Sequence, residues 1–320
     1  MLSALISLYA STKLFMGNPC RDALQCIPTG IAHTIWNQAD LLEASAVPHY
    51  NIKNIAPVIK AKSIIAVDAN TGFILYEKNS YDRRPIASIT KLMTAVIILE
   101  ENKLDDVVTI SKKAAQIAGS KIWLAPGEKI TVANLLYATL VHSANDAAYA
   151  LATFNSDTAE IKDVPPRRDD SVLASLRLGL FVKKMNRKAD ELGLKDTHFT
   201  NPVGLDEEGN YSSAYDLAIL GRYAYEKEFV RKAAIIRETE ISSTNGKLNH
   251  KISTTNDLLG SYLKVFGLKT GTTTEAGQCL IAIIESDKGH RIVTVILDSN
   301  SRYSETKILS DWIFRTYNWY

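Results

Sequence analysis

Ser88 and Lys91, three residues apart in Ser88-Ile89-Thr90-Lys91, can form a nucleophile and its base, because positions i and i+3 of a helix share a face. An amine takes a hydroxyl proton only when neutral, so such a lysine needs burial or a nearby cation to lower its pKa. Lys269, in Lys269-Thr270-Gly271, is the natural like-charge neighbour. A third triplet, Ser143-Ala144-Asn145, offers a hydroxyl that can relay a proton toward a leaving amine. Its amide both donates and accepts, which suits it to hold Lys91 and a substrate carbonyl. Singly these patterns say little. Ser261-x-x-Lys264, Ser304-x-x-Lys307 and Ser243-x-Asn245 occur in the same chain, and a lone match is near chance expectation. Alone, Ser143 or Asn145 reads as a helix cap or surface residue and Lys269 as a solvated strand end. Order and placement distinguish the set: Ser88 follows Arg84-Pro85-Ile86-Ala87 and opens an apolar run, and the other triplets follow at domain-scale separation.

The elements that must position these residues are legible in outline. Ser88 to Glu100 is apolar on almost every face after its first turn, the pattern of a helix buried in a core. Proline near the first turn places Ser88 at the helix start, where its N–H has no helical partner and points positive charge at a developing oxyanion. Ser63 to Asp68 and Phe73 to Glu77 read as a hairpin joined through Ala69-Asn70-Thr71-Gly72. Leu135 to Leu151 and Val172 to Leu192 carry helical patterning, separated by a charged surface loop at 155–170. Strands are predicted at Val265–Lys269, Gln278–Glu285 and Arg291–Asp298, followed by a final helix from Ser304 to Tyr317. Strands at both ends with helices between them predict an α+β fold, an antiparallel sheet flanked by helices, rather than alternating βαβ units.

The three motifs together resemble those of the penicillin-binding proteins and serine β-lactamases. The likeness narrows to the D-alanyl-D-alanine carboxypeptidases, peptidase family S11, over residues 60–316. Further segments carry it: Val67-Asp68-Ala69-Asn70-Thr71-Gly72, Asp146-Ala147-Ala148 after the second triplet, Leu192 to Phe199, and Asn201-Pro202-Val203-Gly204-Leu205-Asp206. The resemblance implies a β-lactamase/transpeptidase-like fold with a helical subdomain. It also implies penicillin sensitivity, an acyl-enzyme on Ser88, and action on peptidoglycan stem peptides outside the cytoplasm. Ser88, Lys91 and Ser143 are the expected catalytic residues. Asn145, Lys269, Thr270, Gly271, Thr272 and Arg302 are the expected substrate-binding ones, with the Thr272 N–H as second oxyanion donor, Lys269 a charged group that orients substrate, and Arg302 on the terminal carboxylate. Gly271 on an edge strand lets an extended peptide add as a further strand. No cofactor is implied. Carboxypeptidase is the first reading and D,D-endopeptidase the alternative. The missing Glu-x-x-Leu-Asn segment argues against a class A β-lactamase, and the intact reactive positions argue against a non-catalytic penicillin-binding scaffold.

Composition excludes other classes. A net charge of +2 from 37 basic and 35 acidic residues lacks the basic excess of a nucleic-acid binder. The six histidines, His33, His49, His142, His198, His250 and His290, show no metal-ligand spacing, and no Gly-x-Ser-x-Gly elbow occurs. Cys20 and Cys26 are spaced closely enough to pair locally, while Cys279 lies in an apolar run and reads as a buried small hydrophobe. Residues 1–60 read as leader and linker, and 61–320 as the catalytic domain. Met1 to Ala10 is apolar but has no basic residue before it and meets Lys13 early, so it reads as a truncated signal or anchor, or as a plain leader. Membrane contact is expected only if that N-terminus is an anchor, since no amphipathic tail follows the catalytic domain.

Overall fold

The computed structural model describes residues 47–50, 54–154 and 170–319. In chain order the first half contains β1 (His49–Tyr50), β2 (Ser63–Asp68), β3 (Ile74–Lys78), a 3-10 turn at Ala87–Thr90, α1 (Lys91–Glu101), β4 (Val107–Thr109), α2 (Lys112–Gln116), β5 (Lys129–Thr131), α3 (Val132–Leu140) and α4 (Asn145–Ala152). There follow α5 (Asp170–Glu191), α6 (Ala214–Glu226), α7 (Glu228–Ala234), β6 (Glu238–Ser242), β7 (Asn249–Ser253), β8 (Lys264–Thr273), β9 (Gly277–Glu285), β10 (Arg291–Ser299), α8 (Arg302–Thr316) and β11 (Tyr317–Asn318).

A five-stranded sheet in the order β3-β2-β10-β9-β8, antiparallel throughout, is the frame. Its central strands β2, β10 and β9 are nearly continuous apolar runs because both faces are covered. Ile65, Val67, Ile281, Ile283, Val293 and Val295 join one core with α1, α3, α4 and α6. The alternate residues Ile64, Ala66, Leu280, Ala282, Ile292 and Ile296 join a second core with Leu309, Trp312 and Ile313 of α8. Two-residue periodicity thus divides the sheet between a helical layer and a single C-terminal helix. Gly221 allows α6 close to the sheet, since a Cβ there would lie 2.9 Å from Cγ2 of Ile281.

The first hairpin forms as expected. Oδ1 of Asp68 accepts from the N–H groups of Asn70 and Thr71 at 3.2 and 2.7 Å, and Gly72 takes φ +76°. α1 is buried from Lys91 through Ile98, as its lack of a polar face predicts. β8, at the sheet edge, runs through the whole Lys269-Thr270-Gly271 motif to Thr273.

One expectation needs correction. Leu135 to Leu151 is not one helix: α3 stops at Leu140 and α4 starts at Asn145, with Ser143 between them at φ +61°. Hydrophobic periodicity continues across the break because no Gly or Pro marks it. Described residues before 61 also touch the fold. Ile59 is buried in the core beneath α8, and His49 and Tyr50 pair with Asn318 and Tyr317. Of the charged loop expected at 155–170, residues 155–169 lie outside the described residues and Asp170 opens α5; Cys20, Cys26 and the N-terminal apolar run also lie outside them.

Candidate active site

Ser88 stands in the 3-10 turn that runs into α1. Ala87 before it adopts φ +49°, a left-handed conformation that bends the chain into the helix. Two glycines press on this peptide. A Cβ on Gly271 would lie 2.9 Å from both the Ile86 carbonyl oxygen and the Ser88 nitrogen, and one on Gly204 would fall on the Ala87 carbonyl. Both positions therefore require a residue with no side chain, and β8 lies directly against the nucleophile.

Lys91 Nζ donates to Ser88 Oγ at 2.7 Å and to the Val203 carbonyl at 2.6 Å. Its side chain is fully buried, and burial followed by the nearby Lys269 charge holds its pKa well below the ordinary lysine value, with Asp146 opposing. A neutral amine can keep one N–H on Val203 and present its lone pair to the Ser88 hydroxyl. Lys269 Nζ donates to Ser143 Oγ at 2.7 Å and to the Thr270 carbonyl at 2.9 Å. Burial, then the Arg302 charge, brings its pKa down to about 7.

Strand alternation explains the division of labour along β8. Lys269 and Gly271 pair with Ile281 and Cys279, whose side chains belong to the core shared with α1. Thr270 and Thr272 point the other way. Thr270 Oγ1 lies 2.5 Å from Thr255 Oγ1, and Thr272 Oγ1 accepts from Arg302 Nη1 at 2.7 Å. Arg302 Nη1 also donates to the Gly271 carbonyl at 2.8 Å, so the arginine closes the end of the motif.

Asn145, at the start of α4, is buried beside these groups, but its hydrogen bonds differ from expectation. Nδ2 donates to the Ala118 carbonyl at 2.6 Å, and the second acceptor on Lys91 is Val203 rather than Asn145. Loop 118–124 is stitched to α4 by further bonds: Asn145 N–H to the Ser120 carbonyl at 2.7 Å, and the N–H groups of Ile122 and Leu124 to the Asp146 carboxylate.

Of the sequence-predicted residues, Lys91 and Gly271 meet Ser88 directly, Lys269 joins Ser143, and Thr272 and Arg302 meet at the end of the motif strand, with Thr270 held by Thr255 and Asn145 by Ala118. Sequence reasoning gave no role to the Asn201–Leu205 turn. Asn201 Oδ1 accepts from the N–H groups of Val203, Gly204 and Leu205 at 3.2, 2.7 and 3.2 Å, presenting the Val203 carbonyl to Lys91 while Pro202 accepts from Thr94 Oγ1. Its local signal was the Asn-Pro-x-Gly turn chemistry.

The D-alanyl-D-alanine carboxypeptidase family profile, Peptidase S11, matches residues 51–160 and 178–301. The chain belongs to this family. Among relatives, D-alanyl-D-alanine carboxypeptidase DacF of Bacillus subtilis (strain 168) is 38% identical over 81% of this chain and 63% of its own length. DacA of Escherichia coli (strain K12) is 32% identical over 86% of this chain and 66% of its own length. The chain thus spans just under two thirds of the length of these two relatives. The crystal structure of the Streptomyces K15 DD-transpeptidase superposes with a TM-score of 0.72 at 30% identity, covering 82% of this chain and 99% of that one. A D-alanyl-D-alanine carboxypeptidase from Mycobacterium tuberculosis H37Rv gives 0.70 at 26% identity, covering 83% and 96%. The β-lactamase/transpeptidase-like class expected of the family is the fold observed.

Among the described residues no cluster of three or more His, Cys, Asp or Glu side chains could hold a metal ion, and no helix is long and apolar enough to cross a membrane. Cys279 is a free, buried thiol whose pKa burial pushes up to about 11.

Proposed function

We propose that this member of the S11 family is a serine-type D-Ala-D-Ala carboxypeptidase that acts on peptidoglycan stem peptides through an acyl-enzyme and is inactivated by penicillin. The observation that carries the reading is the 2.7 Å contact between Ser88 Oγ and a fully buried Lys91. Relatives named as carboxypeptidases and structural neighbours named as a transpeptidase support it.

In this mechanism Lys91 takes the Ser88 proton as Oγ attacks the carbonyl of the penultimate D-alanine. The oxyanion is held by the N–H groups of Ser88 and Thr272, brought close by the Gly271 contact. Ser143 relays that proton from Lys91 to the departing D-alanine nitrogen, taking one as it gives one and leaving Lys91 neutral for the next step, and Lys269 supports the Ser143 hydroxyl from 2.7 Å. Arg302, with Thr270 and Thr272, receives the terminal carboxylate. The Asn145 side-chain oxygen accepts from the substrate backbone, its amide being held by Ala118. Water then attacks the acyl-enzyme with Lys91 again as base. Residues 61–320 form the catalytic domain, with Ile59 and the His49–Tyr50 strand docked on it. The site of action is outside the cytoplasmic membrane, where the substrate lies.

The deciding experiment is intact mass after exposure to benzylpenicillin. A persistent adduct on the wild type, absent from Ser88→Ala, is expected; a folded wild type with no adduct would sink the reading. Chromatography of digested muropeptides separates free D-alanine, the expected product, from loss of cross-linked dimers, which would make the enzyme an endopeptidase.

A further inference from the structure

Arg302 has a long side chain with many rotamers, yet the proposed reaction needs its guanidinium at one place. Nη1 is fixed against the end of β8 by the Gly271 carbonyl and Thr272 Oγ1. Nη2 donates to the hydroxyl of Tyr303 at 3.0 Å, and the guanidinium carbon stands 4.7 Å from the centroid of the same ring. The Tyr303 hydroxyl in turn donates to the Thr255 carbonyl at 2.6 Å. Thr255 is tied to the motif strand through Thr270 Oγ1. One aromatic residue therefore joins α8, the segment after β7, and β8 around a single guanidinium. Consecutive residues of a helix do not face each other, so this contact is no by-product of helical spacing. It forms because Arg302 opens α8 and its side chain folds back over the neighbouring ring.

We infer that Tyr303 is the positioning residue for Arg302: its ring and hydroxyl hold the guanidinium at the end of β8, and preference for substrates ending in a free carboxylate depends on that hold. The inference rests on the reading of Arg302 as the carboxylate-binding group. It carries a second consequence. The Arg302 charge helps depress Lys269, so an arginine released from Tyr303 lets the Lys269 pKa rise.

The test compares a stem-mimicking peptide ending in D-Ala-D-Ala as the free acid with the same peptide as its C-terminal amide. Tyr303→Phe keeps the ring and removes the hydroxyl. It should raise KM for the acid about tenfold with kcat little changed, as loss of a hydrogen bond to a charged group implies. KM for the amide should stay at the wild-type value. The ionisation near pH 7 in the kcat/KM profile should move upward in the same variant. Tyr303→Leu, lacking ring and hydroxyl, should lose more of the acid preference. The acid-to-amide ratio within one preparation does not depend on how much of a variant is folded, so it stays interpretable if either variant is destabilised. Equal effects on acid and amide would reduce Tyr303 to a structural residue and overturn the inference. Arg302→Leu abolishing the preference while Tyr303→Phe retains it would overturn this inference alone; Arg302→Leu retaining the preference would overturn the reading of Arg302 as well.

Discussion

Lys91 and Lys269 enter the site from opposite walls, one from the first turn of a buried helix and the other from an edge strand. Both are buried and each donates to a serine hydroxyl at 2.7 Å. Their surroundings differ in what stands behind them. The helical wall gives Lys91 the Val203 carbonyl, and the like charge of Lys269 adds to its burial. The strand wall gives Lys269 the carbonyl of Thr270 and the charge of Arg302. Both amines are thus held below the ordinary lysine value by burial first, and they differ in the cation that adds to it, Lys269 for Lys91 and Arg302 for Lys269.

Several changes would break or sharpen that contrast. The largest effect is expected from Lys91→Ala, which should slow acylation by benzylpenicillin about a thousandfold, within the range for loss of a general base. A variant that acylated at the normal rate would assign the base elsewhere. Gly271→Ala should come next. The added methyl meets Ile86 O and Ser88 N at 2.9 Å, so strand and nucleophile must part, lowering acylation about a hundredfold for a displacement of this kind. Gel-based penicillin labelling at fixed times checks it.

The strand wall should show itself in pH dependence. The ammonium form of Lys269 is lost as pH rises through about 7. If that form binds the substrate, kcat/KM for a free-acid peptide should fall about fivefold between pH 7 and 8 for a single ionisation. A flat profile there would remove Lys269 from binding. The smallest effect is on stability. Lys269 has a folded pKa near 7 against an ordinary 10.5, so between those values the unfolded chain binds the extra proton. Unfolding free energy should therefore rise with pH across that window. Urea midpoints at pH 7 and 10 should converge in Lys269→Met relative to wild type; an unchanged slope would show that other groups set it.

How much of this was legible in the sequence depended on whether a side chain carried the signal. Ser88, Lys91, Ser143 and Lys269 act through side chains at recognisable spacings, and the core strands announce themselves as apolar runs. The Val203 contribution is a main-chain carbonyl, which any residue would supply, so only its place in the Asn201 turn hinted at it. The break at Ser143 depends on one positive φ at a residue with no conformational signature. The Asn145 amide looked free to hold Lys91 because nothing in the sequence brings Ala118 beside it. The β6–β7 hairpin was missed because its strands, Glu238–Ser242 and Asn249–Ser253, are short, polar and largely solvent-facing, with little hydrophobic alternation to detect.

The two glycines that press on the Ala87–Ser88 peptide also bear on how the site would meet a ligand. With backbone packed against both sides, the nucleophile has no alternative resting place from which a substrate must recruit it. Its ordering belongs to folding, completed before any encounter. Adaptation to different peptides then falls to the side chains around Ser88, and the 86–90 backbone should trace the same path in the empty enzyme and in a penicilloyl complex.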